Sequence, residues 1–193
     1  MNKLLLASII SLLLLNHAVY ENEDISVSID KPGNWYSLSL SDIIDNIKNI
    51  KHRDPSYVNN FKRNSKPIFA ISKFKEPCND LNTVVVVFIY DNKDSRFKLE
   101  SLMDSLVNYG IQYFLNDYSI NIKSQKKKIK EYDSIYSEFD NSFLYNKNVY
   151  KVTHGLWLLE FNKYIIQIEA QWPRNDNNST TQINSTLETI IIK

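Results

Sequence analysis

The chain has 193 residues, 23 basic and 22 acidic side chains, one Cys, three Gly and five Pro. That length suits one compact domain. The near-balanced charge is unlike the basic excess of a dedicated nucleic-acid binder, one cysteine makes neither an internal disulfide nor a Cys-based zinc site, and three glycines leave no Gly-rich phosphate loop.

Met1-Asn2-Lys3 precedes an apolar run from Leu4 to Leu15, and Asn16-His17-Ala18 follows. A positive start, a short apolar core and a small exit residue form the layout of a secretory signal. The run is shorter than the about 20 apolar residues of a membrane span. Cleavage is expected after Ala18, although Asn16 departs from the small-x-small pattern. The alternative is an uncleaved N-terminal anchor. Residues 1–18 hold Lys3 as their only charged side chain, so the mature chain would be formally neutral. No later segment has the length of a span: the strongest apolar run, Val84 to Tyr90, is strand-length. The expected organisation is a signal peptide over 1–18, a polar N-terminal segment over 19–31, extended or mobile, and a single domain over 32–193.

Pro32-Gly33-Asn34 marks a turn. Trp35 to Leu40 alternates, which predicts a half-buried strand with Tyr36, Leu38 and Leu40 on one face. Ile43, Ile44, Ile47 and Ile50 recur at helical spacing behind the capping residues Ser39 or Ser41. Asp54-Pro55 starts a second helix, running to about Asn64. Pro67 to Phe74 reads as a strand. Thr83 to Tyr90 reads as the strongest strand, and its lack of alternation predicts that both faces are covered.

Phe97 to Leu115 is the best helix, with Leu99, Leu102, Met103, Leu106, Gly110, Tyr113 and Phe114 along one stripe. Residues 117–153 read as strands joined by polar turns, with Ile120 and Ile122, Tyr132 to Phe139, and Val149 to Val152 as candidates. Gly155 to Phe161 and Tyr164 to Trp172 flank Asn162-Lys163, a two-residue hairpin signal. The second of these strands puts Tyr164, Ile166, Ile168, Ala170 and Trp172 on a dry face. Ile165, Gln167, Glu169 and Gln171 are expected on a wet one. After a polar loop over 173–179, a last helix is expected to carry Ile183, Leu187, Ile190 and Ile191. Clustered strands with separated helices indicate an α+β sandwich, with a single antiparallel β-sheet flanked by helices.

Several segments carry a resemblance. Pro32-Gly33-Asn34-Trp35-Tyr36 resembles the entry to the first strand of the PsbP-like superfamily. Phe69-Ala70-Ile71-Ser72-Lys73-Phe74 and Leu81-Asn82-Thr83-Val84 resemble its central pair. Gly155-Leu156-Trp157, Trp172 and Ser185-Thr186-Leu187-Glu188-Thr189-Ile190 resemble its end. This superfamily takes in the photosystem II extrinsic subunit, a Ran-binding nuclear factor and bacterial proteins of unknown function. The resemblance covers roughly residues 30–192. It implies a central antiparallel sheet with helices on both sides, and a docking or accessory role without a shared catalytic set. The helical pair over 41–64 is an elaboration of that pattern.

Candidate chemistry is sparse. Cys78 lies between Pro77 and Asn79, and a nucleophilic thiol would need a base from His52 or His154. Its bland reading is an unpaired, semi-buried thiol. The two histidines show no zinc spacing. Asp91 and Asp94 flank a loop without the ligand rhythm or the Gly of an EF-hand. No nucleophile-elbow motif supports Ser-His-Asp hydrolysis. Lys123, Lys126, Lys127, Lys128 and Lys130 form the dense basic run. It suits an anionic partner or, by preference, either a solvated hairpin or an edge strand whose lysines deter sheet pairing. Asn177, Asn178 and Asn184 head glycosylation-type triplets, which have meaning only in a eukaryotic secretory pathway.

No catalytic residue, cofactor or metal is predicted, and the binding residues stay unassigned. The sequence therefore reads as an exported, small, non-enzymatic protein that binds another protein, in the periplasm or outside the cell. Its specific form is an immunity protein against a secreted toxin. The alternative is a secreted effector or ligand-binding module with a pocket between sheet and helices, so a small-molecule ligand stays open. No nucleic-acid partner is expected.

Overall fold

Residues 17–39, 41–42, 67–75, 81–92, 97–114, 122, 124–145 and 148–193 are described by the structure, a computed structural model. Strands β1 (His17–Glu21), β2 (Ser26–Asp30), β3 (Tyr36–Leu38), β4 (Pro67–Ser72) and β5 (Val84–Asp91) precede helix α1 (Leu99–Phe114). Strands β6 (Gln125–Ile129), β7 (Tyr132–Tyr145), β8 (Asn148–Phe161) and β9 (Tyr164–Pro173) follow, then helix α2 (Asn177–Leu187) and β10 (Ile191–Ile192). The helical pair expected over 41–64 lies outside the described residues, apart from Ser41 and Asp42.

The expected single sheet is corrected to two. A seven-stranded sheet runs β3-β4-β5-β9-β8-β7-β6, and a three-stranded sheet runs β1-β2-β10. Every neighbouring pair is antiparallel. The small sheet draws on both ends of the described chain. In β2, Val27 and Ile29 alternate with Ser26, Ser28 and Asp30, and both apolar side chains are buried. Five residues with two apolar positions look polar on average, yet a period of two is enough to bury one face. At the other end, α2 stops at Leu187. Ile191 and Ile192 pair with Ser28 and Val27 instead of continuing the helix.

The large sheet separates two cores. On one face Val85, Val87, Ile129, Tyr136, Trp157, Leu159, Ile166 and Ile168 meet Ala18, Val27, Ile29 and Ile192 of the small sheet and Ile183 and Leu187 of α2. On the other face Met103 and Val107 of α1 cover Ile135, Leu156, Leu158 and Ile165. The layers are thus α1, the large sheet, and the small sheet beside α2. The expected wet face of β9 is half dry for this reason: Ile165 and Gln167 are buried, and Ile165 lies beneath α1. Strand β5 sends Val85, Val87 and Ile89 to the first core and Tyr90 to the second, so both faces are covered as expected.

The strand expected from Trp35 has a different facing. Trp35 is buried and Tyr36 is exposed, the reverse of the expected facing at these two positions; Leu38 is half-buried, and Leu40 lies outside the described residues. Strand β3 is a short sheet edge, where an exposed aromatic is tolerated. Helix α1 matches its expected stripe at Leu99, Leu102, Met103 and Leu106 and adds Val107. The side chains at Gly110, Tyr113 and Phe114 lie outside the described ones.

Candidate functional site: an aromatic cleft beneath α2

Strand register builds the site. Gln125 of β6 lies opposite Tyr136 of β7, Tyr136 opposite Trp157 of β8, and Trp157 opposite Ile168 of β9. The next row on the same face is Glu138, Gly155 and Ala170. Gly155 and Ala170 form a shallow dent, and the two large indoles fill it. A Cβ at Gly155 would stand 2.5 Å from Cη2 and 2.7 Å from Cζ3 of Trp157, and 3.2 Å from Cη2 of Trp172. Glycine is required there by close approach of side chains.

A cleft of about 260 Å³ lies over these rows, beside α2. Gln125, Lys127, Tyr136, Glu138, Trp157 and Trp172 line it from the sheet, and Thr180, Ile183 and Asn184 from the helix. The Tyr136 and Trp157 rings stack with centroids 4.8 Å apart, and Lys127 Nζ stands 4.7 Å over the Tyr136 ring. The Tyr136 hydroxyl donates to Glu138 Oε2. Burial first, then this carboxylate, pushes the phenol pKa well above its ordinary value. Tyr136 is therefore a neutral donor throughout the physiological range. Trp157 is 1% exposed, and its Nε1 is buried with no partner among the described residues. An unmade hydrogen bond of this kind costs roughly 1–3 kcal/mol.

Helix α2 is held by a second polar cluster. Asp176 caps it, accepting from Ser179 N at 3.0 Å and from Ser179 Oγ at 2.6 Å. Lys73 Nζ reaches Asp176 Oδ2 at 3.2 Å and Ser179 Oγ at 3.0 Å, and Thr83 Oγ1 lies 2.8 Å from Ser179 Oγ. The Ser179 hydroxyl, chiefly, and the Lys73 ammonium hold the Asp176 carboxyl at about 2, against an ordinary 3.8. A serine beside a lysine resembles a nucleophilic pair, but Ser179 is 0% exposed. The cluster ties α2 to β4 and β5 and offers no room for a substrate.

The residues singled out from sequence are dispersed. Cys78, His52, Asp94 and Lys123 lie outside the described residues. His154 faces the α1 side of the sheet and stacks on Phe139 with centroids 5.0 Å apart. Asp91 ends β5 opposite Tyr164. The lysine run does form an edge strand, β6. Its members diverge: Lys126 pairs with Glu100 of α1 at 3.7 Å, Lys128 with Asp133 at 3.5 Å, and Lys130 with Glu131 at 4.0 Å. Of the described members of the run, Lys127 alone lines the cleft. Asn184, read only as a triplet head, stands on the cleft rim. Tyr136, Glu138 and Trp157 had no local signal except Gly155, a glycine inside a run of bulky strand residues.

A second feature is the far end of the β7–β8 hairpin. β9 pairs with β8 only from Val152 onward, and β6 reaches β7 only as far as Tyr136. Beyond Arg174, whose N–H donates to Lys151 O at 2.9 Å, Phe143–Tyr145 and Asn148–Tyr150 are paired, among the described residues, only with each other. This two-stranded arm carries Val149, 65% exposed.

Comparison with solved structures finds the resemblance expected from sequence. The cyanobacterial PsbP (CyanoP) of Synechocystis sp. PCC 6803 is similar over 93% of this chain and 94% of its own, with 10% identity and a TM-score of 0.44. LpqN, involved in cell envelope biogenesis of Mycobacterium tuberculosis, is similar over 92% of this chain and 90% of its own (9% identity, TM-score 0.49). A Bacteroides thetaiotaomicron VPI-5482 protein is similar over 86% of this chain, with 11% identity and a TM-score of 0.47, and the chain spans 45% of its length. No family model and no curated protein matches the sequence. Among the described residues no helix is long and apolar enough to cross a membrane.

Proposed function

We propose that this chain is an exported, non-enzymatic accessory protein that binds another protein through the projecting arm of the β7–β8 hairpin. The observation that carries the reading is that arm, a two-stranded ribbon past its neighbours with Val149 exposed at its end. A two-stranded ribbon is at best marginally stable by itself in water, and an exposed apolar side chain on it is suited to burial against a partner. Export rests on the apolar run from Leu4 to Leu15. An immunity protein against a secreted toxin is the specific form: small size and export suit that role.

The test is capture of a partner from the envelope fraction of the host and of competing strains. Wild-type chain is expected to retain a partner that Val149→Asp loses, with an unchanged melting temperature. Retention by both proteins, or by neither, overturns the reading.

A second reading is a ligand-binding module. It is favoured by the cleft itself, which lies between the large sheet and α2.

A further inference from the structure

We propose that the cleft beneath α2 binds a free α-amino acid with an apolar side chain, holding its carboxylate on Lys127 and its ammonium on Glu138. The inference rests on the second reading above and gives it a ligand class. Lys127 and Glu138 line the same cleft on adjacent strands. They make no ion pair with each other, and among the described residues no carboxylate pairs with Lys127. The Lys127 ammonium stands over the Tyr136 ring, while the Glu138 carboxylate sits at the hydroxyl of the same residue. The two charges therefore flank Tyr136.

A simple anion entering this space meets Glu138, and a simple cation meets Lys127. A zwitterion answers both, which is selection by repulsion as well as attraction. Tyr136 occupies one acceptor position of Glu138, and a carboxylate retains others for an ammonium. Among the described residues the buried Trp157 Nε1 has no acceptor. Trp157, Trp172 and Ile183 supply the apolar wall. The cleft, about 260 Å³, is smaller than the roughly 300–1,000 Å³ of pockets for drug-sized ligands, so the ligand is small.

The test is tryptophan fluorescence and calorimetric titration with L-leucine and L-phenylalanine, set against glycine, N-acetyl-leucine and leucinamide. Saturable binding of leucine or phenylalanine is expected. Glycine, lacking the side chain, and the two derivatives, each lacking one charge, should bind at least about tenfold more weakly, or about 1.4 kcal/mol. Lys127→Gln and Glu138→Gln should each cost a similar factor without lowering the melting temperature. Lys128→Gln, on the opposite face of β6, should bind as wild type does. Equal binding of N-acetyl-leucine or leucinamide overturns the amino-acid class and leaves a ligand cleft standing. No saturable binding of any compound up to about 10 mM overturns both.

Discussion

At Gly155 one hydrogen atom in place of a side chain lets two indoles meet over the sheet. Gly155→Ala places a Cβ inside the contact distance of the Trp157 ring, which is aromatic and walled by Tyr136. Overpacking of this kind typically costs about 1–3 kcal/mol. Thermal unfolding should show that loss, with altered tryptophan fluorescence as Trp157 moves. Asp176 makes a different prediction. Its pKa is depressed in the folded chain, so its contribution to stability is fully present above about 4 and is lost as pH falls towards about 2. Asp176→Ala should lower stability at pH 7 by about 0.5–2 kcal/mol. It should also flatten the acid limb between pH 4 and 2, and denaturant titrations across that range check the sign. Little of the cleft was legible at this scale. Tyr136 and Trp157 are 21 positions apart and meet only through the β7–β8 register. Lys127 joins them because alternation along β6 sends it to the face opposite Lys126 and Lys128. A lysine run read as one patch is, on a strand, two half-patches.

Elements with strong local chemistry were legible. Asn162-Lys163 closes the β8–β9 hairpin in the expected register, with Phe161 opposite Tyr164 and Asn162 at φ 54°. Asn tolerates that left-handed geometry. Helix α1 followed from its stripe. The C-terminal isoleucines did not, because short apolar runs fit a helix or a strand equally well. The strand assignment has a consequence that a helix would not share. Ile192 is buried and Ile191 is 40% exposed, since neighbours on a strand face opposite sides. Ile192→Ala should cost about 2–5 kcal/mol, in the range of buried large-to-small changes. Ile191→Ala should stay within about 0.5 kcal/mol. Melting curves of the two variants separate the alternatives directly. The second sheet was hidden for a related reason: β1, β2 and β10 are each five residues or fewer, too short for a periodic signal to stand out.

For the whole molecule, the α+β class and the antiparallel main sheet were readable from clustered strands. The three-layer order was not, since it depends on where the chain ends settle. The N-terminal boundary now has physical content. β1 begins at His17, Ala18 is buried in the core, and His17 Nδ1 bonds Asp30 Oδ1. A leader cut after Ala18 would take two of the five β1–β2 pairs with it. A chain starting at Val19 is therefore expected to fold but to be less stable than one starting at His17, by on the order of 1 kcal/mol. Calorimetry of the two chains, with the intact mass of the exported protein, checks both halves of that statement. Strand β2 also carries a consequence for timing. It lies between β1, near the beginning of the chain, and β10, at residues 191–192. Until both pairings form, Val27 and Ile29 sit on a strand with an open edge. Ile191 stands 163 positions after Ser28, so shutting that edge requires closure of a very long loop, a cost that weighs on folding rate more than on stability.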